Sequence, residues 1–181
     1  GNVNESLRRM EKVISNFLAS GKKVFSIGGE DLVTLPAVRA HKEFFSDLTV
    51  IQMDAHADLR TDYLGEVLSH ATVMRQVLDV VGEKNLFQLG IRSGTRDELE
   101  YGKSRSNLYI DQFLPVLDEV KKKIGKRSVY ITLDIDIVDP AFAPGTGTPE
   151  AGGINSRELF QGLRQLAELN IVGFDLVEIW P

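Results

Sequence analysis

Val50-Ile51-Gln52-Met53-Asp54-Ala55-His56-Ala57-Asp58 is the stretch whose reading decides the fold. Its first half is mostly apolar and strand-like, and its second half sets three metal-ligating side chains at alternate positions. A second stretch has the same design, with Val129-Tyr130-Ile131-Thr132-Leu133 running into Asp134-Ile135-Asp136. In an extended chain residues i and i+2 point to one face. Asp54, His56 and Asp58 therefore converge with Asp134 and Asp136 if the two strand ends are neighbours. Taken alone, Asp134 and Asp136 also fit a carboxylate pair capping a strand or loop. Together the two stretches predict a dinuclear metal site, because charge placed against a core is costly unless a cation compensates it. Four converging carboxylates repel one another and raise their own pKa values, and two divalent cations remove that strain.

Outward from these stretches the chain alternates strand and helix. Asn4 reads as the N-cap of an amphipathic helix running to about Ala19, with Leu7, Met10, Ile14, Phe17 and Leu18 on one face. A strand follows at 23–27, then the Gly28-Gly29 turn, then Glu30, Asp31 and a helix beginning near Pro36. The unit recurs as strand 48–53, helix 70–81, strand 86–91, helix 111–123, strand 128–134, helix 156–168 and strand 171–177. Asn155 and Glu158 form a capping box for the last helix, whose Leu159, Leu163 and Leu166 face the sheet. Strands rich in Val, Ile, Leu and Phe without clean alternation suit a parallel sheet buried on both faces. The expected class is α/β, three layers with a mostly parallel sheet, in a single domain spanning 1–181. Ligands of such folds sit at the carboxyl ends of strands, where Asp31, Asp54 to Asp58, Asp134, Asp136 and Glu178 all fall. His41 lies in a helix away from these positions and reads as a surface histidine.

Composition narrows the chemistry. A formal charge of -5 argues against phosphate neutralisation on nucleic acid. The one basic run, Lys121-Lys122-Lys123, suits a helix C-terminus. With no cysteine, thiolate sites are excluded and oxygen and imidazole ligands remain. No apolar run approaches membrane-spanning length and no signal-peptide pattern opens the chain, so a cytoplasmic protein without membrane or nucleic-acid partners is expected. Hard oxygen ligands with one imidazole suit Mn²⁺ better than a thiolate-type zinc site, with zinc, cobalt and iron also compatible with the ligand type, and two such ions a few Å apart can generate a strong nucleophile from water at neutral pH.

These residues also resemble a known family. Gly28-Gly29-Glu30, Asp54-Ala-His-Ala-Asp58, Ser69-His70-Ala71-Thr72, Leu133-Asp134-Ile-Asp136 and Pro140 to Pro149, in that order, are similar to the motifs of the ureohydrolases, the agmatinase and arginase family. The resemblance implies an α/β/α hydrolase with two Mn²⁺ per subunit that attacks a guanidinium carbon and releases urea. It implies that Asp54 and Asp134 bridge the ions, that Asp31 and Asp58 sit with the first, and that His56 and Asp136 sit with the second. Asp58 would also pass a proton to the departing amine, His70 would shuttle protons, Glu178 would pair with the substrate guanidinium, and Thr148 would help orient substrate. Pro140, Pro144 and Gly145 read as a rigid turn.

The stretch Leu59 to Glu66 resembles agmatinases more than arginases, which implies a small guanidino substrate, agmatine, hydrolysed to putrescine and urea. Asp62 and Glu66 are candidate partners for its second amine, and Arg60 equally suits a structural pair with them. One position departs from the family pattern: Asp31 stands where a histidine ligand of the first metal is expected, with a shorter reach and one more negative charge. This predicts a weakened first-metal site, and it leaves open a catalytically impaired homologue that serves as a subunit or metal-binding structural partner. The family pattern also predicts further chain at both ends and a homo-oligomer that covers apolar surface.

Overall fold

Strands that are apolar on both faces must be covered on both faces, and the architecture follows from that requirement. The computed structural model describes residues 2–180, so Gly1 and Pro181 lie outside the description. The elements run α1 (Val3–Ala19), β1 (Val24–Ile27), α2 (Thr34–Phe44), β2 (Thr49–Met53), α3 (Val73–Val81) and β3 (Leu86–Ile91). They continue with α4 (Arg96–Arg105), β4 (Asn107–Ile110), α5 (Leu117–Ile124), β5 (Ser128–Asp134), α6 (Ser156–Leu166) and β6 (Asn170–Val177). The strands form one parallel sheet in the order β1-β6-β5-β2-β3-β4.

Alternate residues of the central strands feed two cores. Val50, Leu86 and Tyr130 pack with Leu7, Leu35, Val38 and Val77 from α1, α2 and α3. Ile51, Met53, Phe87, Leu89 and Ile131 pack with Leu117, Val120 and Leu166 from α5 and α6 on the other face. Each such side chain contributes about 1.5–3 kcal/mol by leaving water. The result is the three-layer α/β/α arrangement, with β2 and β5 side by side at its centre. Met53 pairs with Leu133, so Asp54 and Asp134 stand one step beyond the same rung.

The sequence pattern and the structure differ at several places. The N-cap of α1 is Asn2, whose side chain accepts the Glu5 N–H at 3.2 Å, and Asn4 lies inside the helix. Phe17 is exposed while Leu7, Ile14 and Leu18 are buried. Helix α4 and strand β4 fill the interval after β3, and the helix expected at 111–123 is a 3-10 turn at Leu114–Val116 followed by α5. The α4 segment RDELEYGKSR carries too few apolar residues to show a helical stripe, and a Thr95/Glu98 capping box sets its start. Arg60 pairs with Glu98 of α4, not with Asp62 or Glu66.

His41 is the clearest correction. It is fully buried, with Nδ1 2.8 Å from the Ala37 carbonyl and its ring edge-on to Tyr130 at 4.8 Å. Burial lowers its pKa, so it packs as a neutral ring. Gly173 on β6 makes room for it, since a Cβ there would collide with the imidazole. A lone histidine in an amphipathic segment gives no sign of which face it takes.

Beside His41 lies a buried polar group away from the strand ends. Asp175 of β6 accepts from the Tyr130 hydroxyl at 2.6 Å and the Thr34 hydroxyl at 3.0 Å, and its other oxygen has no partner. Burial, opposed by the hydrogen bonds, pushes its carboxyl up to about 6. A raised acid costs stability as pH climbs from its ordinary value through the folded one, here on the order of 3 kcal/mol by pH 7. Asp175→Asn is therefore expected to flatten the loss of melting temperature between pH 4 and pH 7; an unchanged pH profile would show that Asp175 does not titrate in this window.

Among the described residues the edge strand β1 pairs on one side only, and Phe25 and Ile27, on one face of it, are 62% and 79% exposed. Apolar surface on a free sheet edge favours association. Sedimentation of the purified chain is expected to show self-association, and a sharply melting monomer would contradict it.

Candidate metal centre

The turn after each central strand places the candidate ligands. The Ala55 N–H donates to Asp136 Oδ1 at 3.0 Å, the His56 N–H to Asp54 Oδ1 at 2.5 Å, and the Asp136 N–H to Asp134 Oδ1 at 2.7 Å. The backbone leaving β2 thus orients Asp136 beyond β5, while Asp54 and Asp134 are each fixed by the N–H two residues on in their own turn. His56 Nδ1 lies 2.9 Å from Asp136 Oδ2 and 3.6 Å from Asp54 Oδ1. Asp58 takes a left-handed backbone, φ 53°, and its carbonyl accepts the Met74 and Arg75 N–H groups at the start of α3. That contact satisfies helix-terminal donors while turning the Asp58 carboxylate inward.

Asp31 arrives from the other direction. Gly28 and Gly29, both at positive φ, reverse the chain after β1, and the Gly29 carbonyl accepts the Glu178 N–H at 3.0 Å. Glu178 Oε1 in turn accepts the Asp31 N–H at 3.0 Å. Glu178, itself left-handed at φ 56°, is 8% exposed. The loop after β5 closes on the same place: the Trp180 N–H donates to the Gly145 carbonyl at 2.9 Å, and a Cβ on Gly145 would meet the Trp180 carbonyl at 2.6 Å. Gly145 is therefore a close-approach glycine in a rigid turn.

Two groups of ligand atoms emerge, each with its atoms within 4.8 Å of one another: Asp54, His56 and Asp136, and Asp31, Asp54 and Asp58. Asp54 belongs to both. Asp31 reaches its group despite its short side chain, whereas Asp134 stands outside both, its carboxylate turned onto the Asp136 N–H. Above them opens a cavity of about 520 Å³ whose wall includes Asp31, His56, Asp58, His70 and Thr148. Asp54, Asp134, Asp136 and Glu178 are buried and do not line this wall. His70 stands at the start of a 3-10 turn with its ring edge-on to Tyr63 at 5.1 Å. Asp62 and Glu66 lie in the exposed part of the Leu59 to Glu66 stretch and do not line the cavity.

Crowding sets the electrostatics. Burial first, then the neighbouring carboxylates, push Asp31 and Asp58 well above the usual range and Asp134 up to about 12. Burial and Asp136 push Asp54 up to about 6. Burial works to lower the His56 pKa, but hydrogen bonds to Asp136 and Asp54 outweigh it and push it up to about 10. Such a set holds its charge only with cations, and two hard divalent ions with oxygen and imidazole ligands fit it.

A layer the sequence did not reveal holds the carboxylates. Gln52 Nε2 donates to Asp54 Oδ2 at 2.8 Å and to Asp58 Oδ2 at 3.4 Å. Gln88 Nε2, its registered neighbour on β3, donates to Gln52 Oε1 at 2.7 Å, and Ser106 Oγ donates to Gln88 Oε1 at 2.8 Å. Buried glutamines at paired positions on adjacent strands are the signal that would have found this chain of bonds. Glu98 accepts the Leu59 and Thr95 N–H groups and fixes the cavity's far wall.

Fold and site define a class: a parallel α/β protein with a carboxylate-rich centre suited to hard divalent cations at the carboxyl edge of its sheet. Comparison with known proteins makes the class particular. The model of the arginase family matches residues 1–181, and the chain belongs to that family. It is 45% identical to the agmatinase of Halalkalibacterium halodurans over 100% of this chain and 64% of that protein. The chain thus spans less than two thirds of that relative's length. The crystal structure of agmatine ureohydrolase of Thermoplasma volcanium superposes with a TM-score of 0.89 at 34% identity, covering 99% of this chain and 62% of that one. Proclavaminate amidino hydrolase from Streptomyces clavuligerus gives the same TM-score and identity, covering 99% and 64%. Among the described residues no helix is long and apolar enough to cross a membrane.

Two measurements test the centre. Mn²⁺ at about 100 times its Kd is expected to stabilise the fold by about 2–3 kcal/mol. Asp54→Asn, which touches both ligand groups, should abolish the rise in melting temperature. Gln52→Leu is expected to weaken Mn²⁺ binding about tenfold or more by calorimetry, because the outer layer orients the ligands; unchanged affinity would remove Gln52 from the site.

Proposed function

We propose that this chain carries the catalytic centre of an agmatinase-type amidinohydrolase, which adds water to the guanidinium carbon of agmatine and releases putrescine and urea. The observation that carries the reading is the pair of ligand groups sharing Asp54 beneath a cavity walled by His70 and Thr148. Asp31, Asp54, His56, Asp58 and Asp136 would hold two Mn²⁺, joined by Asp134 through the oxygen not engaged by the Asp136 N–H, and the ions when bound would neutralise the carboxylates and lower the pKa of water. Asp58 passes a proton to the departing amine, His70 exchanges protons with solvent at the cavity wall, and Thr148 orients the substrate. Glu178, buried behind the cavity wall with its carboxylate held by the Asp31 N–H, would pair with the guanidinium. The agmatinase name of the 45% identical relative supports the substrate. In the same reading the protein is cytoplasmic and homo-oligomeric, the latter supported by the exposed edge of β1.

A second reading, a catalytically impaired homologue kept as a subunit or metal-binding structural partner, is favoured by Asp31, which adds a fifth carboxylate to the cluster. Metal counting with urea release from agmatine, arginine and guanidinobutyrate separates the two. The expected result is Mn²⁺-dependent urea from agmatine, with Asp31→His tightening the first ion about tenfold and raising the rate. Bound metal without urea would establish the impaired homologue, and Asp31→His without gain would clear Asp31 of any deficit.

A further inference from the structure

Of the carboxylates lining the cavity, Asp31 and Asp58 belong to the ligand groups, and Glu98 is spent on Leu59, Thr95 and Arg60. Glu150 is different. Its side chain is 43% exposed, Oε1 accepts the Ser93 hydroxyl at 2.9 Å and lies 3.8 Å from His56 Nε2, and Oε2 makes no hydrogen bond to protein. Ser93 stands beside His56 because the chain leaving β3 continues along residues 55–57, with the Ser93 N–H on the Ala55 carbonyl and the Ala57 N–H on the Ser93 carbonyl.

The backbone under Glu150 is held unusually firmly. Arg92 donates from Nη2 to the carbonyls of Glu150 and Asp136, each at 2.7 Å, and from Nε to the Ala151 carbonyl at 3.1 Å. Nη1 reaches the Ile137 carbonyl at 3.3 Å. One guanidinium thus ties the Glu150 loop to the segment bearing Asp136. A carboxylate on so fixed a backbone, lining the cavity with one oxygen that makes no hydrogen bond to protein, is preorganised to meet a cation there. The guanidinium already on the wall does not compete, because Arg60 is paired to Glu98.

We infer that Glu150 is the specificity-determining residue that receives the second, positively charged group of the substrate, a primary ammonium at the far end of a guanidino-alkylamine. This rests on the hydrolase reading above and deepens it. A substrate with a carboxylate at that end would meet repulsion at Glu150, so selection acts by attraction and exclusion together. The Leu59 to Glu66 stretch, where Asp62 and Glu66 were candidates, does not supply this group.

The test is calorimetric binding of agmatine and of 4-guanidinobutyrate to the Mn²⁺-loaded protein and to Glu150→Gln, with urea release followed in parallel. Glu150→Gln is expected to lower the preference for agmatine over guanidinobutyrate about twofold to fivefold, the worth of one partly exposed ion pair. An unchanged preference overturns the inference whether or not urea forms. An equal loss for both ligands with weaker Mn²⁺ binding also overturns it, assigning Glu150 to the support of His56. A shifted preference without urea upholds Glu150 while removing the hydrolase reading.

Discussion

Five aspartates and one histidine packed where two central strands end cannot all carry charge in a dry interior. That repulsion is the constraint to which the rest of the structure answers. The sheet supplies rigidity by burying β2 and β5 on both faces, so the carboxylates cannot drift apart to relieve it. The turns supply backbone N–H donors aimed at carboxylates, the Ala55 N–H at Asp136 of the neighbouring turn and the His56 and Asp136 N–H groups at Asp54 and Asp134 of their own. Left-handed backbone at Asp58 and Glu178, at about 1–2 kcal/mol each, keeps side chains pointing inward that a relaxed chain would turn away. Such strain is sustained because the cores beneath it are large.

The fold was legible where one physical effect dominated. β3 and β5 are apolar runs bounded by turns, and their limits in the structure are those the pattern predicts. The α4 and β4 segment was not, because a solvent-facing helix and a four-residue edge strand bury too little to leave a periodic trace. His41 was misjudged for a related reason, since its place is decided by a partner glycine on β6 more than a hundred residues away.

In the candidate site, Asp54, His56, Asp58 and Asp136, whose atoms gather into groups that could hold a metal, stood out by spacing. Those that hold them did not. Gln52, Gln88 and Ser106 come from three different strands or their flanks, and only the sheet register lines them up. Arg92 and Glu150 are separated by most of the chain's second half, and neither has a local pattern. Sequence spacing records what lies on one strand; contacts between strands are recorded only in the fold.

The segment between Asp58 and α3 invites a last consequence. Its two ends are stitched together, Arg60 N–H to the Ala71 carbonyl and the Met74 and Arg75 N–H groups to the Asp58 carbonyl, so the excursion between them begins and ends at nearly one point. A closed excursion of this kind is a replaceable module. Its length and composition can change by recombination or insertion while Asp58 and α3 at its base keep their positions, so the part of the cavity wall that carries Tyr63 and His70 can be remodelled without disturbing the carboxylates beneath.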